Sequence, residues 1–132
     1  MTVETVHAQW VEEKVFLLRD HLDFPVVMTQ PMGVIGADLL PMSLSGCAAW
    51  DVMDILTKQR QQVSALEVSA VSEREDEAPW RFKKITLRYK ITGQKINPDA
   101  VRRAVSLSEG KYCSVYATLR AAVELASEVE IG

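Results

Sequence analysis

The chain has 132 residues, 48% of them apolar and 25% charged, the size and composition of one ordinary domain with its own core over residues 1–132. Six Gly and five Pro exclude collagen-like and low-complexity classes, and a formal charge of −3 excludes the strongly basic balance of a nonspecific nucleic-acid binder. A chain of this length buries roughly two-thirds of its unfolded surface without cross-links, so its two cysteines invite a chemical explanation.

Residues 1–14 carry three Glu and no apolar run of signal-peptide length, which predicts a cytoplasmic protein. Short apolar runs at 3–11, 15–18 and 26–28 are separated by Glu12-Glu13 and by Arg19-Asp20-His21. This pattern predicts a small antiparallel meander whose last strand starts after Pro25. Pro31, Gly33 and Gly36 then break the pattern. Asp38 stands where a helix N-cap would accept from the first free backbone N–H groups, and Pro41 falls at the third helical position, where its missing N–H removes no intrahelical bond.

From Leu39 onward, Leu40, Leu44, Cys47, Ala48, Val52, Ile55 and Leu56 recur mainly at three- and four-residue spacing, while Met42, Ala49, Trp50 and Met53 fill other faces. A helix apolar nearly all round must be surrounded by protein, either its own sheet and helices or a second subunit. Residues 39–56 approach the length of a membrane span but contain Asp51 and Asp54. Each charge at a bilayer centre costs about 2.5–3.5 kcal/mol, so the stretch reads as a core helix and no membrane partner is expected. Basic residues in 57–62 suit its C-terminal end.

Residues 65–74 and 82–92 alternate apolar with polar around a polar turn at 75–79, which predicts a hairpin with one wet and one dry face. Asn97-Pro98-Asp99 is an N-cap followed by proline at the first helical position, opening a shorter helix that ends by Gly110. A further short helix is expected over 114–119 and a last strand over 123–131. Strands, one central helix, a hairpin, two helices and a strand make an α+β domain.

Cys47 sits two turns into the central helix. A buried cysteine on such a helix is by default a small hydrophobe, and Gly46 beside it implies close approach of a neighbour to that face. Asp51 lies one turn further on the same face, where its carboxylate would raise the thiol pKa unless hydrogen-bonded elsewhere. Cys113, in Gly110-Lys111-Tyr112-Cys113-Ser114, stands at the mouth of the short helix beside a lysine, a setting that favours the thiolate. Two Cys form neither a CxxC redox motif nor a complete zinc set, and His7 and His21 have no ligand-like spacing with them, so no metal is expected. Dinucleotide, P-loop, α/β-hydrolase and zincin motifs are absent, and no cofactor is expected. Arg102-Arg103 and Lys83-Lys84 read as solvated faces, not as a nucleic-acid surface.

The run Gly36-Ala37-Asp38-Leu39-Leu40 through Leu44-Ser45-Gly46-Cys47 and on to Leu56 resembles the central-helix signature of the OsmC/Ohr family: an acidic residue, Leu-Leu, a small-residue stretch and Gly-Cys. The segment Leu107-Ser108-Glu109-Gly110-Lys111-Tyr112-Cys113-Ser114-Val115 resembles its second signature. With strands before, a hairpin between and a strand after, the resemblance covers nearly the whole chain. It implies an OsmC-like fold with antiparallel sheets, a long buried central helix and an intertwined homodimer with the central helices of both subunits packed together. It also implies a thiol-dependent hydroperoxide reductase, with Cys47 peroxidatic and Cys113 resolving, a small-molecule hydroperoxide as substrate and a thiol or dithiol as reductant. Arg19, the only Arg before residue 60, takes the place of the family's thiolate-holding Arg, and Asp38 that of the acidic residue that holds the Arg. The Gly46-Cys47 and Cys47-to-Asp51 pattern is similar to the OsmC-like branch more than to the organic hydroperoxide branch. The alternative is a non-catalytic dimeric OsmC-like protein that binds a small apolar or sulfur-containing ligand.

Overall fold

Three short strands, β1 (His7–Glu12), β2 (Val15–Arg19) and β3 (Pro25–Thr29), form the expected meander, each pair antiparallel. The register sets Trp10 opposite Phe16 and Phe16 opposite Met28, with Ala8, Leu18 and Val26 in the next row. Period-two alternation therefore collects Ala8, Trp10, Phe16, Leu18, Val26 and Met28 on one apolar face. That face is poorly covered, with Trp10 61% exposed. The Asp20 carboxylate shapes the β2–β3 turn by accepting from the backbone N–H groups of Leu22 and Phe24 at 2.9 and 2.8 Å. In the computed structural model, which describes all 132 residues, this sheet belongs to a unit comprising Met1–Leu40, and Pro41–Gly132 forms a second.

Helix α1 (Leu39–Lys58) begins where expected, with Pro41 as its third residue. It is preceded by a 3-10 turn over Gly36–Asp38 that is flanked by Ile35 and has no side-chain cap. Asp38 is thus the last residue of that turn, its N–H donating to the Ile35 carbonyl at 3.1 Å, instead of a lone N-cap. It remains an acidic group near the positive end of the helix. The helix closes in a Schellman turn: Gln61 N–H donates to Leu56 O and Arg60 N–H to Thr57 O, both at 3.0 Å, with Arg60 at φ 59°. Turn and helix together, Gly36–Lys58, are long and apolar enough to cross a membrane by length and composition. Leu44, Ala48, Val52 and Leu56, four residues apart, instead form the helix's stripe in a core. Only that stripe is buried. Trp50 is 79% exposed, so the surroundings expected for an all-round apolar helix are not supplied on every face by this chain. Apart from its chain neighbours and the backbone of its own helix, nothing lies within 4 Å of a Cβ built on Gly46, so the expected close neighbour is likewise absent from this chain.

Strands β4 (Gln62–Arg74) and β5 (Phe82–Gln94) form the expected hairpin. The dry face of β5 is Ile85, Leu87, Tyr89 and Ile91, all fully buried, and exposed Arg88 and Lys90 lie on the other. Gly93 sits at an irregularity in the pairing where a Cβ would lie 2.1 Å from the Gln62 carbonyl oxygen, so close strand approach requires glycine there. Helix α2 (Pro98–Leu107) starts as read, the Asn97 side chain accepting from Asp99 N–H at 2.9 Å. Its apolar face contributes Val101, Ala104 and Val105 to the core. It ends at Leu107, earlier than Gly110, because Ser108–Tyr112 form one π-helical turn. Helix α3 (Ser114–Leu119) and strand β6 (Glu124–Ile131) follow.

β6 pairs with the central strand β5 in parallel, whereas the other strand-to-strand ladders are antiparallel. The physical reason is the connection. A hairpin turn reverses the chain, but α2, the π turn and α3 carry it back across the sheet, so β6 runs beside β5 in the same direction. The architecture is α+β, two three-stranded sheets and a long central helix.

Candidate functional site

α1 carries Cys47 and Asp51 one turn apart on the same side of the helix. The crossover from β5 to β6 brings Cys113 to them: the Cys47 and Cys113 Sγ atoms and an Asp51 carboxylate oxygen all lie within 4.8 Å of one another. Both thiols are free, Cys47 half-buried and Cys113 only 3% exposed. The two cysteines singled out in the sequence are thus neighbours despite 66 residues between them.

The π turn supplies the rest of the setting. It carries fully buried Ser108, whose hydroxyl donates to Asp51 Oδ2 at 3.1 Å. Asp51 is therefore held by Ser108 while one of its oxygens remains beside both sulfurs. Cys113 N–H donates to the Ser108 carbonyl at 2.8 Å, and the Cys113 sulfur caps α3 by accepting from Tyr116 N–H at 3.4 Å. Cys113 nonetheless does not have the favoured thiolate expected from its place beside Lys111. Burial pushes its thiol up to about 11, and its hydrogen bond with Cys47 adds to this, while the Tyr116 N–H acts in the opposite sense. A six-residue helix and an exposed lysine do not offset the loss of water around the sulfur.

Around this group stand residues that the sequence did not distinguish from core. The Tyr89 hydroxyl is buried with no hydrogen-bond partner, and burial raises its pKa first of all, followed by the negative charges of Glu109, Cys113 and Asp51. Tyr116 is raised by burial and by Glu109, whose carboxylate also accepts from the Ser127 hydroxyl. A cleft of about 390 Å³ reaches Asp51 from outside, its wall including Trp50, Ile55, Lys58, Arg103 and Tyr112. Periodicity could suggest Asp51, four residues from Cys47, and the second signature includes Ser108. Nothing local marks Tyr89, which reads as one more apolar position of a strand.

The other two candidates lie in the N-terminal unit. Arg19 ends β2 and folds back on its own turn, Nη1 donating to the Asp23 carbonyl at 2.8 Å and Nε standing 3.6 Å from its carboxylate. Its ion pair is with Asp23 and not with Asp38, which is exposed. The early strands do deliver an arginine, but within this unit the acidic group that holds it is a neighbour in the turn.

The comparisons with known proteins agree with this architecture. The family described as OsmC-like protein matches residues 31–128. Protein YhfA of Escherichia coli (strain K12) is 38% identical over 126 residues, 93% of this chain and 94% of the relative. The crystal structure of a protein from Aquifex aeolicus VF5 superposes with a TM-score of 0.84 at 28% identity, covering 100% of this chain and 99% of that one. An organic hydroperoxide resistance protein OsmC from Legionella pneumophila gives a TM-score of 0.70 at 11% identity, covering 98% and 99%.

Proposed function

The chain belongs to the OsmC-like protein family, and on that footing we propose that it is a thiol-dependent hydroperoxide reductase with Cys47 peroxidatic and Cys113 resolving. The observation that carries this reading is the proximity of the two free sulfurs, within 4.8 Å, one of them half-buried and the other buried. The Cys47 thiolate attacks a peroxide oxygen; the S–O bond forms as the O–O bond breaks, and the leaving alkoxide takes a proton to become an alcohol. Cys113 then attacks the sulfenic sulfur, forming S–S as S–O breaks, and hydroxide leaves as water with the Cys113 proton. Asp51, beside both sulfurs, carries that proton. A thiol or dithiol reductant returns two electrons and two protons. Trp50, Ile55 and Leu107 in the cleft favour an organic hydroperoxide.

The working form is a cytoplasmic homodimer and each chain acts as one OsmC-like domain. A second copy is the occupant best suited to the exposed apolar face of the N-terminal sheet and to Trp50. Light scattering should give twice the chain mass, and Trp50→Glu should lower it toward one chain; a monomeric wild type refutes the assembly.

Fully reduced protein mixed with one equivalent of cumene hydroperoxide, and separately hydrogen peroxide, should lose both thiols and two daltons of mass, the two hydrogens removed on disulfide formation. Cys47→Ser should consume no peroxide, and Cys113→Ser should consume one equivalent and trap an oxidised Cys47. Equal consumption by wild type and Cys47→Ser refutes the reading. Two persistent thiols would turn the site into a binding pocket for a small apolar or sulfur-containing ligand.

A further inference from the structure

We propose that Cys47, Asp51 and Cys113 of the fully reduced protein bind a single thiophilic divalent cation, zinc by preference. Three donor atoms of two kinds stand within 4.8 Å of one another. In a tetrahedral zinc site, with Zn–S near 2.3 Å and Zn–O near 2.0 Å, such donors are about 3.5–3.8 Å apart. Movements of about 1 Å at the donor tips, within the reach of side-chain torsions, close the group on an ion.

The donor chemistry selects the metal. Magnesium and calcium require oxygen ligands, whereas two thiolates and a carboxylate suit zinc and its borderline-soft relatives. Three protein donors leave a fourth position for water or an outside ligand, as in zinc sites that remain open. Asp51 is already oriented, because buried Ser108 holds Oδ2 at 3.1 Å, the outer contact that fixes a ligating carboxylate. An independent observation concerns Tyr89: its hydroxyl is buried without a partner, and it is near enough for the Asp51 carboxylate to act on it. A water on the fourth position of the cation is a partner of the kind this hydroxyl lacks.

Binding is an exchange of protons without oxidation. The cation accepts a lone pair from each sulfur and from the carboxylate, and whatever protons the thiols carry go to solvent. A disulfide between the same sulfurs abolishes the site. The proposal does not rest on peroxide chemistry, since a slow or inert thiol pair can hold zinc equally well.

The test is a titration of metal-free reduced protein with Co²⁺ without oxygen, and with Zn²⁺ against a chromophoric chelator. One cation per chain, sulfur-to-cobalt charge-transfer absorption and protection of both thiols from iodoacetamide are expected, all lost in the disulfide form. Asp51→Asn should weaken zinc binding at least about tenfold, and Ser108→Ala by about tenfold through the freed carboxylate. Asp54→Asn, one turn outward on the same helix, should bind as the wild type does. Absence of thiolate-to-cobalt absorption overturns the proposal, and so does zinc binding that survives disulfide formation. Because these readouts use the wild-type chain, a variant that fails to fold does not decide the matter. A folded Asp51→Asn that binds zinc as tightly as wild type removes the carboxylate and overturns the three-donor site.

Discussion

The sharpest consequence of the site is the difference in reactivity between its two thiols, and alkylation measures it. Cys113 is 3% exposed and its pKa is pushed up to about 11 from 9.0. At pH 7.5 a thiol with pKa about 11 is ionised in about one molecule in 3,000, against about one in 30 at 9.0. Since the thiolate is the nucleophile, ionisation alone should slow alkylation of Cys113 about 100-fold relative to an ordinary cysteine, and burial slows it further. In metal-free, fully reduced protein treated with iodoacetamide and sampled by peptide mass mapping, Cys47 should be labelled first. The Cys113 rate should climb about tenfold per pH unit up to near pH 11. Cys47→Ala should raise the Cys113 rate, because the hydrogen bond that the Cys113 thiol gives to the Cys47 sulfur helps to hold the proton on Cys113. Labelling of Cys113 as fast as Cys47 at pH 7.5, or a Cys113 pH–rate profile that levels off below pH 9, would refute this account. Either result would remove the protected thiol on which the proposed resolving role of Cys113 depends.

Three further outcomes follow from the same structure. Stability should fall above pH 9: a thiol whose folded pKa lies above its unfolded value stabilises fully below the unfolded value of 9.0, and loses that contribution as pH rises through about 11. The Cys113 contribution to this loss approaches about 2 kcal/mol by pH 10.5 and is absent in Cys113→Ala, and urea titrations at pH 7, 9 and 10.5 measure it. Tyr89→Phe removes a buried hydroxyl without a partner and should raise stability by about 1–3 kcal/mol in the same titrations; a loss of that size would show that the hydroxyl has a partner after all. Gly93→Ala sets a Cβ 2.1 Å from the Gln62 carbonyl oxygen and should cost about 1–3 kcal/mol or more, whereas Gly46→Ala meets nothing within 4 Å and should not destabilise the chain itself.

The fold was legible wherever its cause is local. Pro41 and Pro98 mark helix starts because a missing N–H is harmless in the first turn, and Asn97 is read as a cap because its side chain can reach the backbone two residues on. The β5 alternation gave its dry face because successive side chains point to opposite sides. Features set by long-range pairing were not legible. The direction of β6 depends on how α2 and α3 return the chain to the sheet, and no residue within Glu124–Ile131 records that. Gly46 shows the opposite error: helix propensity says that glycine is expensive there, but not which molecule would repay it, and no neighbour from this chain does.

The site divides along the same line. Cys47 and Asp51 are four residues apart on a helix, so their common side follows from sequence. Cys113 reaches them only because α2 ends at Leu107 and the chain makes one wider turn before α3. That π turn seats Ser108 against Asp51 and returns the Cys113 N–H to the Ser108 carbonyl, so one local irregularity fixes both the carboxylate and the second thiol. Its effect on Cys113 is opposite to what the neighbouring Lys111 suggests, since the geometry that brings the sulfur to Cys47 also removes its water. A helix mouth and a cation lower a thiol pKa only while the thiolate stays solvated or well paired. Here burial wins, and the two thiols differ through unequal exposure rather than through the residues beside them in the chain.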